Sequence, residues 1–263
     1  MAKKTIYYTD ALHDDFANAQ IDRKPVSPDF PLVINNIFWK IAEFIFYRII
    51  ATPLIFLISK IFFGLHIENR KAIKKISKTG FYMYGNHTQG IMDAYTPSLI
   101  SFPKHNHIVV SPETVSIPFV RILVQLMGGI PIPDGLKGKV TLMNALPERI
   151  KQKRSVTIYP EAHIWPYYTG IRPFSDVSFT YPVNDNVPVI AFVTTYRKRK
   201  LFPNLAPLLT VKVSDPFYPD KSIDRIEARK KLRDDVYNFM CKETSNPDNY
   251  AYYEYIQKDD ENS

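Results

Sequence analysis

One stretch limits this chain more than any other. Between residues 30 and 63 lies the run NIFWKIAEFIFYRIIATPLIFLISKIFF, dense in Phe, Ile and Leu and interrupted by Lys40, Glu43, Arg48, Pro53 and Lys60. A bilayer-spanning helix needs about 20 apolar residues with few charges. Central Arg and Glu are costly in hydrocarbon, and a proline in the middle breaks or kinks a single long helix. The run therefore predicts two helices, a hairpin lying in or dipping into a membrane interface, each with an apolar face and a basic edge. Its Trp and Tyr side chains suit that depth. The alternative is a buried helical hairpin in a soluble core. A basic stretch follows at once, with Arg70, Lys71, Lys74, Lys75 and Lys78. Each such cation near an anionic leaflet contributes about 1 kcal/mol, which favours the membrane reading.

The flanks of this run differ from it in composition. Residues 1–29 form a polar leader that mixes charges of both signs and lacks the charged-then-apolar order of a signal peptide; Pro25, Pro28 and Pro31 close it off. From Gly80 onward short apolar runs alternate with helical patterns. FYMYG, HIVVS, SVTIYP, VPVIAFVTTY and LLTVKVSDPFY read as strands; GIMDAYTPSLISF, TVSIPFVRILVQLM, GKVTLMNALPERIKQKR and DRIEARKKLRDDVYNFMCKE read as helices. Such alternation implies an α/β fold, with a mixed, mostly parallel sheet flanked by helices. The chain then divides into the leader (1–29), membrane-associated helices (30–65), an α/β domain (66–218) and a C-terminal helical tail (219–263). The tyrosines of NYAYYEY, from Asn249 to Tyr255, read as a docked part of that tail, and the final KDDENS as frayed. The one cysteine, Cys241, allows no intramolecular disulfide and fits a reducing compartment. The net charge of +8 favours anionic partners, lipid surfaces among them.

The candidate chemistry gathers at strand ends. Asn86 and His87 follow the FYMYG strand, at the edge of the sheet where α/β sites lie, and Asp93 stands six positions on. A histidine takes a proton near neutral pH, and a carboxylate beside it holds its tautomer and stabilises the imidazolium. Taken alone, this spacing equally describes a helix start with an incidental Asp. Three further patches follow: MGGIPIPD from Met127 to Asp134, IYPEAH from Ile158 to His163, and VPVIAFV from Val187 to Val193. No Gly-x-Ser-x-Gly, dinucleotide or P-loop pattern is present, and His and Cys show no zinc spacing.

In their order and separations the four patches, over residues 80 to about 195, resemble the glycerolipid acyltransferase family, whose members acylate glycerol-3-phosphate and 1-acylglycerol-3-phosphate. The apolar run resembles the membrane-seating helices of its bacterial members. The resemblance implies direct transfer from a thioester donor, acyl-CoA or acyl carrier protein, to a lysophospholipid hydroxyl on the cytoplasmic face of a membrane. No cofactor beyond the donor and no nucleic acid is implied. His87 would be the general base and Asp93 its orienting carboxylate. Glu161 would contact the acceptor's polar head, with Asn86 and His163 as further contacts, and backbone N–H groups near Gly128 and Gly129 would meet the oxyanion.

Three departures qualify this. Five residues, not the family's four, separate His87 from Asp93, and Gly90 is the residue able to absorb the extra one before a helix starts. Asp134 and Ile164 stand where the second and third motifs carry arginine. Arginine holds phosphate through paired charge-assisted hydrogen bonds that Ile cannot replace. Either Lys137, Lys139 or Arg172 supplies the charge instead, or the acceptor's head is not a phosphomonoester. A catalytically inactive membrane-binding protein is the rival from another class. His105 and His107 read as ordinary edge residues, and the run from Arg197 to Phe202 as either a headgroup-touching or a solvated loop.

Overall fold

A computed structural model of the chain describes residues 4–17 and 23–258. In chain order, β1 spans Lys4–Tyr8, α1 Ile37–Ile61, β2 His66–Glu68, β3 Phe81–Gly85, α2 Met92–Ser101 and β4 Asn106–Val110. Then come α3 (Pro118–Leu126), β5 (Gly129–Pro131), α4 (Gly135–Lys151) and β6 (Ser155–Ile158). The chain ends with β7 (Val189–Arg197), β8 (Leu208–Val213), α5 (Arg225–Thr244) and β9 (Tyr253–Gln257). Seven strands form one sheet in the order β2-β8-β7-β3-β6-β4-β5. β7, β3, β6, β4 and β5 run parallel, whereas β8 is antiparallel to β7 and parallel to β2.

Why the apolar runs take this form is visible in β3, which is buried along its whole length. Successive side chains of a strand point to opposite faces. Tyr82 and Tyr84 pack with Leu142 and Leu146 of α4 and Leu232 and Val236 of α5. Phe81 and Met83 pack on the other face with Met92, Leu99 and Ile100 of α2. The result is the expected mixed, mostly parallel sheet between two helical layers.

The leader and tail are more than polar ends. β1 pairs in parallel with β9, residue Lys4 opposite Tyr253 and Tyr8 opposite Gln257. Trp165, two residues past the third sequence patch, stacks on Tyr255 (5.0 Å between centroids) and meets the rings of Tyr8 (4.6 Å) and Phe16 (5.3 Å), so leader and tail pack on the same side chain. The docked tyrosines were expected; the strand from the leader was not. The frayed end expected for the tail concerns 259–263, which with 1–3 and 18–22 lies outside the described residues.

The apolar run forms one helix rather than the predicted hairpin. Phe44–Ala51 is wound as a π-helix, and the Thr52 N–H and Oγ1 both donate to the Tyr47 carbonyl, Oγ1 at 2.7 Å. This wider turn removes the need for an α-helical bond from Pro53, so the ring enters without breaking the helix. The charges that argued against a long apolar helix turn inward. Glu43 is buried against Arg154, and Arg48 donates to the Pro103 carbonyl. Phe38, Phe44, Ile49 and Phe62 occupy the exposed face. At 25 residues, α1 is long and apolar enough to cross a membrane.

Beneath α1 lies a polar cluster that the sequence reading took for edge residues. Arg154 Nη1 donates to Glu43 Oε1 (3.1 Å) and to His107 Nε2 (3.0 Å), and His107 Nδ1 donates to the Gly128 carbonyl (3.2 Å). His105 stacks on Tyr47 with ring centroids 3.8 Å apart. His107 is buried and His105 nearly so, with His105 Nε2 3.6 Å from Glu43 Oε1. Burial first, and neighbouring cations second, push both well below the ordinary histidine range. The unfolded chain therefore takes up protons first as pH falls below about 6.5. Stability is full above that pH and declines below it. The unfolding midpoint should drop between pH 7.5 and 6, and the drop should shrink in a His105→Asn/His107→Gln variant. An undiminished drop in that variant would contradict this assignment.

Candidate active site

The site starts where β3 stops. A Cβ on Gly85 would lie 2.2 Å from the Phe192 ring, so only glycine lets the strand pass there. Asn86 then extends the sheet by one rung with its side chain: Nδ2 donates to the Thr194 carbonyl (3.1 Å) and Oδ1 accepts from the Thr194 N–H (2.8 Å). Its amide is wholly buried and bonded through both Nδ2 and Oδ1, so Asn86 fixes the chain at the sheet edge.

His87 follows in the loop, and α2 begins only at Met92. Asp93 thus sits in the first helical turn, while the residues between it and His87 belong to the loop and a turn at Gly90 and Ile91. The extra residue is taken up before the helix, in the turn at Gly90, and the carboxylate folds back on the ring. Asp93 Oδ2 accepts from His87 Nδ1 (2.8 Å) and from the Gln89 N–H (2.8 Å). A neutral ring donating from Nδ1 carries its lone pair on Nε2, the atom a general base needs. His87 remains 24% exposed while Asp93 is 2% exposed, so the ring alone is reachable. Burial pushes the Asp93 carboxyl up, and the hydrogen bond from His87 opposes it.

Tyr159 completes the mount. Its ring stacks on His87 with centroids 4.6 Å apart, and its hydroxyl donates to the Asp93 carbonyl at 2.6 Å. The sequence reading missed this residue, although it lies inside the third patch, directly after β6. Tyr196, whose hydroxyl donates to Thr88 Oγ1 (2.7 Å), had no such signal.

Glu161 has a different place from the one expected. Its Oε2 accepts the His87 N–H and its Oε1 the Arg172 N–H, each at 2.8 Å. The carboxylate is buried beneath the loop and braces His87. Burial raises its carboxyl, opposed first by the charge of Arg172. Further backbone bonds stitch the two patches: Trp165 N–H to the His87 carbonyl (3.0 Å) and Tyr167 N–H to the Thr88 carbonyl (2.9 Å).

The expected cations do not converge on His87. Arg172 is 2% exposed; its guanidinium donates to the carbonyls of Glu161 and His163 and lies 5.0 Å from the Trp165 ring centre. Lys137 pairs with Asp29 at 2.8 Å on the surface of α4, and Lys139 is exposed on the same helix. His163 Nδ1 lies 3.5 Å from Asp15 of the leader. Asp134, in the place of a motif arginine, accepts the Val26 N–H (2.7 Å) and pairs with Arg23, so it anchors the leader. Gly129 is level with Met83 in the middle of the sheet, three strands across, or roughly 14 Å. The backbone near it cannot serve an oxyanion at His87.

One group of side chains has metal-ligand character. Donor atoms of Glu43, His105 and His107 lie within 4.8 Å of one another. Arg154 already donates to Glu43 and His107, so a guanidinium fills the position a metal cation would take.

Residues 65–195 match the family model described as Acyltransferase. No curated protein gives a significant match. Among solved structures, the chain resembles the 1-acyl-sn-glycerophosphate (LPA) acyltransferase PlsC from Thermotoga maritima, at 18% identity and a TM-score of 0.54. The match covers 82% of this chain and 91% of that one. At that identity the likeness establishes a shared fold.

The brace at Glu161 yields a direct expectation. Glu161→Ala leaves the Arg172 charge and two N–H groups buried without their partner, which should cost roughly 3–5 kcal/mol in denaturant unfolding. Lys137→Ala removes an exposed ion pair and should leave the unfolding midpoint unchanged. Equal effects from the two substitutions would refute the brace.

Proposed function

The chain belongs to the acyltransferase family through residues 65–195, and on that premise we propose that it transfers a fatty acyl group from a thioester to the free hydroxyl of a lysophospholipid. The acceptor we assign is 1-acylglycerol-3-phosphate, and the donor acyl-CoA or acyl carrier protein. The observation that carries the reading is the His87–Asp93 hydrogen bond, with the ring partly exposed and the carboxylate buried.

The acceptor hydroxyl approaches His87 Nε2. As its oxygen attacks the thioester carbonyl, Nε2 takes the proton, and Asp93 stabilises the imidazolium through Nδ1. The tetrahedral intermediate then collapses, the carbon–sulfur bond breaks, and His87 Nε2 returns the proton to the leaving sulfur, which regenerates the neutral base. The products are an ester and a free thiol, with no covalent acyl-enzyme. Tyr159 keeps the ring plane fixed through the cycle by stacking on it. The exposed apolar face of α1 would hold this chemistry at the cytoplasmic face of a membrane, where the acceptor resides. A formed pair despite the longer spacing favours a working site over an inactive membrane-binding protein.

A second reading concerns the acceptor. Arg172 is buried, Lys137 is paired with Asp29, and Asp134 and Ile164 replace arginines, which together favour a head that is not a phosphomonoester. Purified protein in detergent, given lysophosphatidic acid and a long-chain acyl-CoA or acyl carrier protein, should form the diacyl product. His87→Ala should lower the rate by roughly 10²–10⁴-fold with the fold intact. Retention of most activity by that variant would exclude His87 as the base. Transfer only to non-phosphorylated lipid acceptors would establish the second reading.

A further inference from the structure

We propose that the groove between α1 and the far end of α2 binds one anionic phospholipid, with its phosphate between Arg48 and Arg70 and an acyl chain lying along α1. This site is separate from the transfer site and does not rest on the acyl-transfer reading. The groove has a volume of about 540 Å³, within the usual range for small-molecule sites. Neither His87 nor Asp93 lines it. Asp93 lies at the start of α2 and Phe102 just past its end, a separation of roughly 13 Å along the helix.

The walls are apolar, formed mainly by Phe56, Leu65, Ile67, Leu99 and Phe102, and three cations, Arg48, Lys60 and Arg70, line the same space. Among the described residues, no carboxylate lies within ion-pair distance of these three. Their partners are backbone carbonyls: Arg48 donates to Pro103, Arg70 to Phe102 (2.6 Å) and Lys60 to Leu65 (2.6 Å). Carbonyls carry only partial charge, so the cationic end remains uncompensated. Arg48 Nη1 is buried without a hydrogen-bond partner, a donor that calls for an acceptor. The guanidinium carbons of Arg48 and Arg70 lie 4.9 Å and 5.7 Å from the centre of the same Phe102 ring, so two planar forks flank one side chain that lines the groove. That is the chemistry that holds a phosphate.

A free phosphate would occupy only this cationic end. The rest of the groove is apolar and runs beside a helix whose outward residues, Phe56 and Leu57 among them, are more than half exposed. A lipid meets both requirements at once, and α1 places the opening where lipids are.

The test uses the full-length protein in non-ionic detergent and phosphatidylglycerol carrying a photoreactive group on its acyl chain, with labelled peptides mapped. Labelling should fall on the α1 segment around Phe56 and on the end of α2. Arg48→Gln/Arg70→Gln should reduce it roughly tenfold or more, and Arg48→Lys/Arg70→Lys should retain most of it. Because the arginines also cap carbonyls, Ile67→Trp provides a second variant that narrows the groove and keeps both charges; it too should lose labelling. Unlabelled phosphatidylglycerol should compete, and millimolar inorganic phosphate should not. Equal labelling by a phosphatidylcholine probe, labelling unchanged in the glutamine and tryptophan variants, or competition by phosphate alone would each overturn the proposal.

Discussion

Glu161 is a buried carboxylate shared between two backbone N–H groups, His87 on one side and Arg172 on the other. A buried charge is tolerated only when it is fully hydrogen-bonded and opposed. Here the opposing charge is Arg172, itself held by the carbonyls of Glu161 and His163. The loop after β6 is thereby locked against the loop after β3, two neighbouring strands of the sheet. His87 inherits a fixed backbone, Tyr159 a fixed ring to stack, and Asp93 a partner at 2.8 Å. The leader and tail add to the same lock. Trp165 Nε1 donates to the Asp14 carbonyl, and the Tyr255 hydroxyl to the Pro166 carbonyl.

The opposite end of the sheet solves a different problem. A helix with an outward apolar face also carries Glu43 and Arg48. Glu43 and Arg48 turn toward the protein and meet Arg154 and the Pro103 carbonyl, while the outer face keeps Phe and Ile. The π-helical segment ahead of Pro53 keeps the helix whole. The helix is thereby bonded to the α/β domain while its outer face stays apolar.

Much of this was legible in the residues. Runs such as Phe81–Gly85 lack polar alternation, and a strand buried on both faces has that pattern. His87 and Asp93 stand out through the company of the other three patches, since a His and an Asp at a strand end taken alone also describe a helix start with an incidental Asp. Other features left no local trace. The pairing of β1 with β9 joins residues nearly a chain length apart, and nothing in either segment announces it. A π-turn is not encoded in a 3.6-residue period, so Pro53 read as a break. Asn86, Glu161 and Arg172 read as substrate contacts because they are polar and lie in or after the sequence patches that resemble the family's motifs. Their side chains instead turn inward, toward backbone groups that only the folded chain brings close.

On the proposed function, Asp93 acts through His87. Initial rates of acyl transfer for wild type, His87→Ala, Asp93→Asn and the double variant form a closed cycle that tests this directly. Asp93→Asn should be strongly impaired when His87 is present and should add no further loss when His87 is already alanine. Full activity in Asp93→Asn, or losses that multiply in the double variant, would contradict the pair as one catalytic unit.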